Sequence, residues 1–203
     1  MSAFLGPIHH WLYNKISIQH NIVENIISYT EENNMEIDLR NALDEKFGKA
    51  EMKPLEKVID VTNIHGWLQE KVSLEEYRLA YAVTSILSKE PNVLEDIKTI
   101  FYNMGKRISD LCENKSLVEV YKTINDTLLD GMPCDRANEL LLQDENEVVW
   151  RRNVCVHKNY WSEVNGDIDI YYLLRDEFIS GLLDKINVNY EKVNEVTSKI
   201  SRR

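Results

Sequence analysis

The chain has 203 residues and a formal net charge of −10, from 34 acidic and 24 basic residues. A negative field of this size repels nucleic-acid phosphates and anionic lipid, so we expect neither general nucleic-acid binding nor adsorption to membranes. Hydrophobic residues make up 43% of the chain, which is enough to build a folded core. Only 7 glycines and 4 prolines interrupt it, which favours long helices with few tight turns.

The cysteines and the first residues bear on the compartment. Cys112, Cys134 and Cys155 are odd in number and widely spaced, which argues against a disulfide framework. The first twelve residues lack the basic start and apolar centre of a secretory signal, and no apolar run is long enough to span a bilayer. We therefore expect a cytoplasmic protein.

Apolar residues recur at helical spacing over most of the first 142 residues. The predicted helices span residues 7–32, 37–47, 54–72, 73–88, 93–111, 117–129 and 137–142. The break at 73 rests on Ser73-Leu74-Glu75-Glu76, which is typical of a helix N-terminus. Glu75 and Glu76 are accordingly expected on a solvated face or in a cap.

The spacing changes near residue 148, where apolar and polar residues alternate. This two-residue period predicts one short strand or hairpin near residues 148–157. Helical spacing returns over 170–186, and residues 188–200 are predicted to form a final, less buried helix. No polar linker divides the chain. The expected fold is therefore mainly α, a multi-helix bundle forming a single domain over residues 1–203.

Two nine-residue segments resemble each other, Ile8-His9-His10-Trp11-Leu12-Tyr13-Asn14-Lys15-Ile16 and Ile64-His65-Gly66-Trp67-Leu68-Gln69-Glu70-Lys71-Val72. Helical spacing places His65 in an apolar stripe and His9 near the edge of another. If the two helices pack side by side, both imidazoles can ligate one Zn or Fe ion or a haem. The alternative is a core histidine bonded to a backbone carbonyl and a half-exposed residue at a helix start.

Residues 148–162 contain no acidic side chain, which is unusual in so acidic a chain. Arg151 and Arg152 can grip a carboxylate or phosphate, and Trp161 can supply a flat wall. This composition predicts a site for a small anionic ligand, including the propionate groups of a haem. The alternative is an ordinary arginine pair that bridges to acidic helices.

Cys155 and His157 are two residues apart, so on the expected strand they share one face. There the thiol and imidazole can share a metal, or His157 can take the proton of a nucleophilic Cys155. A buried structural cysteine is the alternative. Cys134, which follows Pro133 at an expected helix start, is a weaker candidate for a reactive thiol.

Three hypotheses follow. The first is a cytoplasmic helical protein that binds a metal ion (Zn or Fe) or a haem-type cofactor between helices, as a sensor or carrier, with His9 and His65 as ligands. The second is a cysteine-dependent enzyme for a small carboxylate substrate, with Cys155 and His157 catalytic and Arg151, Arg152 and Trp161 binding the substrate. The third is a protein-interaction scaffold without a site. The sequence leaves open whether the chain forms a homo-oligomer.

Overall fold

The computed structural model describes residues 4–203 and confirms a mainly helical fold that contains a strand hairpin. The helices are α1 (Pro7–Glu32), α2 (Leu39–Phe47), α3 (Leu55–Val58), α4 (Ile64–Lys89), α5 (Leu94–Arg107), α6 (Leu117–Thr127), α7 (Lys158–Glu163) and α8 (Ile168–Leu182). Short 3₁₀ turns follow α4, α5 and α6 at Pro91–Val93, Ser109–Cys112 and Pro133–Asp135. No helix in this described range is long and apolar enough to cross a membrane.

A four-stranded antiparallel sheet packs against the helices. Its strands are β1 (Asn138–Gln143), β2 (Glu147–Arg152), β3 (Val188–Lys192) and β4 (Thr197–Arg202), in the order β1-β2-β4-β3. Val148 lies opposite Ile200 in the central pair, and both side chains are fully buried. The strand predicted near residues 148–157 is β2, although it ends at Arg152.

Two predicted helices, over residues 137–142 and 188–200, are wrong, because residues 138–142 fall in β1 and residues 188–200 fall in the β3–β4 hairpin. Both segments are short, and a short apolar run fits a helix or a strand equally well. The β1 segment forms a strand rather than a helix because it pairs with β2. In the second hairpin the Asn194 side chain accepts hydrogen bonds from the amides of Val196 and Thr197, which closes the turn.

The predicted helix boundary at Ser73 is also wrong, since α4 runs unbroken from Ile64 to Lys89. The helix begins where the Asn63 side chain accepts a hydrogen bond from the amide of Gly66. Glu75 and Glu76 lie in mid-helix and are buried, so they are neither solvated nor part of a cap. Their side chains bind partners on other elements, which local sequence does not reveal.

Helices α1 and α4 pack side by side and run parallel. Tyr13 contacts Trp67, and one turn or more further along, His20 contacts Glu75 and Glu24 contacts Arg78. The first turns of both helices belong to a small apolar cluster that includes Leu12, Ile16, Leu68, Val72 and Met132. Their later turns belong to a larger cluster shared with α2, α5, α6, α8 and the sheet.

Buried and nearly buried polar side chains lie between these two clusters along α1 and α4. We call them the polar layer, which comprises Gln19, His20, Glu75, Glu76, Asp130, His157 and Arg175. A buried charge needs a partner, so the layer forces several segments to meet at one place. It thereby positions the cavity described next.

Candidate ligand-binding site

The centre of the polar layer is a protonated histidine between two carboxylates. His157 Nδ1 lies 2.9 Å from Glu76 Oε2, and its Nε2 lies 3.4 Å from Asp130 Oδ1. Burial opposes the charge, but the Coulombic attraction of Glu76 and the bond to Asp130 prevail and raise the pKa of His157 to about 9. Both ring nitrogens therefore act as donors at neutral pH.

Asp130 accepts more hydrogen bonds than the other carboxylates of the polar layer. Arg175 donates to its two oxygens at 2.6 and 2.9 Å, and the Asn138 side chain donates to it at 2.8 Å. Burial opposes ionisation, but the Arg175 guanidinium and His157 hold the pKa of Asp130 well below its usual range. The carboxylate is therefore ionised, and its hydrogen-bonding capacity is used inside the protein.

The layer continues between α1 and α4. The Gln19 amide donates to Glu76 Oε1 at 3.2 Å, and His20 Nδ1 lies 3.1 Å from Glu75 Oε1. The other oxygen of Glu75 is buried without a hydrogen-bond partner among the described residues. The two glutamates thus connect α1 to α4 and, through His157, to the segment before α7.

A cavity of about 380 Å³ opens beside Asp130, and we call it the Lys15 cavity. Its wall is formed by α1, α6, the segment between α6 and β1, the start of β1 and the segment after β2. The lining residues are Trp11, Lys15, Tyr121, Asn125, Asp130, Gly131, Met132, Pro133, Arg136, Ala137, Asn138, Glu139 and Asn153. Its volume lies within the range of sites that hold small molecules.

Lys15 is the unusual member of this wall. The residue is only 3% exposed, and its Nζ lies 3.7 Å from the centre of the Trp11 ring. Within residues 4–203 it has neither a hydrogen-bond acceptor nor a carboxylate within ion-pair distance. Burial lowers the pKa of its ammonium to about 8, against the attraction of Asp130 and Asp126. An ammonium in these surroundings can donate a hydrogen bond to a ligand that supplies an acceptor.

The same contact between a lysine and a tryptophan occurs in both copies of the repeated segment. Lys71 lies over the ring of Trp67, at 5.3 Å from its centre, as Lys15 lies over Trp11. Each pair spans one helical turn, which brings the cation onto the aromatic face. Lys71 is half-buried and is not part of the Lys15 cavity wall, so only one copy of the contact faces the cavity.

The two histidines of the repeat have different surroundings. His65 is exposed, so its predicted place in an apolar stripe is wrong. The expected stripe extended back over residues 58 and 61, but α3 ends at Val58 and α4 begins only at Ile64. His9 is half-buried, and its Nδ1 accepts a hydrogen bond from the Gly6 amide. Among the described residues, no three His, Cys, Asp or Glu side chains form a group that could hold a metal ion.

Cys155 and His157 are not on a strand, because β2 ends three residues before Cys155. The two side chains therefore do not share a strand face, and both ring nitrogens of His157 are hydrogen-bonded to carboxylates instead. The half-buried Cys155 thiol instead accepts a hydrogen bond from the Tyr172 hydroxyl at 3.1 Å. Cys134 is exposed in a 3₁₀ turn rather than at the start of an α-helix.

The predicted binding trio of Arg151, Arg152 and Trp161 is dispersed. Arg151 pairs with Glu139 across the β1–β2 hairpin, whereas Arg152 lies 3.7 Å above the Tyr172 ring. Adjacent strand residues face opposite sides of a sheet, which separates the two guanidinium groups. Trp161 is 1% exposed within the larger apolar cluster. These three side chains therefore do not line one site.

Sequence reasoning did not single out Lys15 or Asp130. A signal existed for Lys15, since it lies three residues after Leu12 and therefore falls on the apolar side of α1. Asp130 precedes Gly131 in a sequence that is typical of a turn, which gives no indication of its partners. The contact of Asp130 with Arg175 joins positions 45 residues apart, so only the tertiary structure shows it.

We compared the chain with models of protein families, with curated proteins and with solved structures, and nothing matched.

Proposed function

We propose that this protein binds a small carboxylate-bearing ligand in the Lys15 cavity. The observation that carries this proposal is Lys15, a residue only 3% exposed, whose ammonium faces a cavity without an acceptor from the described residues. A buried charge is expensive unless it is paired. A ligand carboxylate would supply the pairing, and the cavity provides the space for the rest of the ligand.

The other charges of the wall favour an anion. Asp130 is bonded to Arg175, Asn138 and His157. Glu139 accepts from Arg151 and from Asn153. Both carboxylates are thus engaged, whereas Arg136 has no ion-pair partner within the described range. The charged side chains of the wall that remain available to bind a ligand are therefore Lys15 and Arg136, and both are cationic.

The aromatic side chains of the wall indicate the rest of the ligand. The Trp11 indole donates to Asp126 at 2.8 Å, and the Tyr121 ring lies 5.1 Å from that of Trp150. These contacts hold two flat surfaces in place, and Met132 adds a flexible apolar one. A carboxylate attached to an aromatic or apolar body fits this combination better than a bare inorganic anion does.

Benzoate, its neutral isostere benzamide and inorganic phosphate test the proposal. We expect benzoate to raise the midpoint of thermal unfolding, since a ligand that binds only the folded state stabilises it. Benzamide should produce a much smaller shift, because it lacks the charge that pairs with Lys15. An equal response to benzoate and benzamide, or a response to phosphate alone, would contradict the proposal.

Lys15→Met and Lys71→Met form a matched pair of variants. Both remove a lysine from a tryptophan face one turn away, but only Lys15 lines the cavity. The benzoate response should disappear in Lys15→Met and persist in Lys71→Met. Equal responses of the two variants would show that the anion binds elsewhere.

A further inference from the structure

Lys15 has a second property besides its charge, which is a nucleophilic nitrogen at the wall of a cavity. The Trp11 ring holds Nζ through its face, and no described residue forms a hydrogen bond with the amine. When Lys15 is deprotonated, its lone pair is therefore free to attack a carbonyl carbon. Desolvation beside other cationic groups is the usual way to activate a lysine.

We propose that Lys15 forms an imine with 2-oxo acids, in which a ketone or aldehyde is next to the carboxylate. This inference rests on the proposed function, because the carboxylate must first bind in the Lys15 cavity. Arg136 lines the same cavity without an ion-pair partner among residues 4–203, so it can hold the carboxylate while Lys15 reacts.

The acidity of Lys15 supports the reaction. Its pKa of about 8 leaves roughly one amine in ten neutral at pH 7, far more than for a lysine in water. Burial is the main cause of this shift, and the nearby Arg175 adds to it. The reactive form is therefore present at neutral pH.

The step neither oxidises nor reduces any group. The neutral Nζ attacks the carbonyl carbon, and one of its two protons passes to the carbonyl oxygen, which gives a neutral carbinolamine. The hydroxyl group then takes up the proton that the ammonium had released and leaves as water, while the nitrogen lone pair forms the carbon–nitrogen double bond of the protonated imine. The protonated imine keeps the positive charge of Lys15, so Asp130 and Asp126, which attract the ammonium, also favour the product.

Trapping with phenylpyruvate and cyanoborohydride at pH 7 tests the proposal on the full chain. Reduction of the imine adds the mass of the keto acid less one oxygen atom, which intact mass spectrometry detects and peptide mapping locates. We expect about one adduct per chain, on Lys15. Labelling of other lysines should be at least about tenfold lower, since ordinary lysines are seldom neutral at this pH.

Two comparisons make the result specific. The adduct should be lost in Lys15→Met and retained in Lys71→Met. The α-amino group of the chain, whose usual pKa is about 8, serves as a reference amine of similar basicity, and Lys15 should react faster than it does. Labelling of the α-amino group without Lys15 would overturn the proposal.

Phenyllactate separates this inference from the proposed function, because it has a hydroxyl in place of the carbonyl. It should bind by calorimetry and protect Lys15 from labelling. If phenyllactate binds but phenylpyruvate leaves no adduct on Lys15, the imine is refuted and carboxylate binding stands. If neither compound binds and no adduct forms, both proposals are refuted.

Discussion

Lys15 is retained in the folded protein at a cost to stability. The fall of its pKa from 10.5 to about 8 corresponds to about 3 kcal/mol spent on burying the charge. The cation–π contact with the Trp11 ring offsets about 1 kcal/mol of this free-energy cost. A residue that weakens the fold and faces a cavity is typical of a functional site, where stability is exchanged for binding.

The substitution Lys15→Met should therefore stabilise the protein without ligand. Methionine fills a similar volume without a charge, so we expect the free energy of unfolding at pH 7 to rise by about 2 kcal/mol. Urea denaturation measures this change. Lys71→Met, at a half-buried position, should shift it by less than about 0.5 kcal/mol. A large loss of stability in Lys15→Met would mean that the ammonium has a structural partner.

At the scale of elements, the closest helix packing is between α5 and α8. A methyl group on Gly105 would lie 2.0 Å from the carbonyl oxygen of Phe178, and one on Gly181 would lie 2.0 Å from that of Tyr102. Both distances are far below van der Waals contact. The two glycines therefore let the backbones of α5 and α8 come into contact.

Gly105→Ala should separate α5 from α8. Overpacking against a backbone cannot be relieved by a rotamer change, so we expect a loss of about 3 kcal/mol in the free energy of unfolding. Chemical denaturation tests this against Asn103→Ala, an exposed change in the same helix that should cost less than about 0.5 kcal/mol. Equal stability of the two variants would show that the helices can move apart freely.

The elements also differ in how far the sequence predicts them. Long amphipathic helices such as α1 and α8 follow from spacing alone, because many residues repeat the same period. The strands β1 and β3 do not, since five or six residues fit two periods equally well. Helix α4 was divided in the prediction because Ser73 and Glu76 imitate a capping box, although both lie in mid-helix.

At the scale of the whole molecule, His157 connects parts that are distant in the chain. It contacts Glu76 on α4 and Asp130 after α6, and Asp130 in turn binds Arg175 on α8. The pKa of His157 is about 9 in the folded protein and 6.5 for the ordinary side chain. The folded state therefore holds an extra proton between these values, and the resulting stabilisation is complete below pH 6.5 and is lost as the pH rises through 9.

The free energy of unfolding should fall between pH 6.5 and 8, by at most about 1.4 kcal/mol per pH unit. Lys15 contributes little in the lower half of this window, because its pKa is about 8 and its deprotonation, which acts in the opposite direction, occurs mainly at higher pH. Urea denaturation at several pH values should show the slope in the parent protein and in His10→Gln, which changes an exposed histidine. His157→Gln should remove most of it. An unchanged slope in that variant would assign the proton to another group.

The candidate site shows what the sequence could not determine. Lys15 and Trp11 are one helical turn apart, so their contact follows from local geometry. Asp130 and Arg136 reach the cavity from the segment between α6 and β1, and Asn153 from the segment after β2, and nothing in the local sequence marks these two segments as neighbours. The histidines of the repeat were conspicuous by composition, but the position at which α4 begins places His65 outside.

The sequence by itself determined that this protein is mainly helical, because the helical period depends on neighbours three and four residues apart. It also determined the acidic charge and the position of β2. The tertiary structure alone decided the pairing of four strands into one sheet, the continuity of α4, the polar layer and the Lys15 cavity. The sheet, the polar layer and the cavity depend on contacts between residues far apart in the chain, such as Val148 with Ile200 and Asp130 with Arg175. Their energy comes from burial and charge pairing, which no short window of sequence contains.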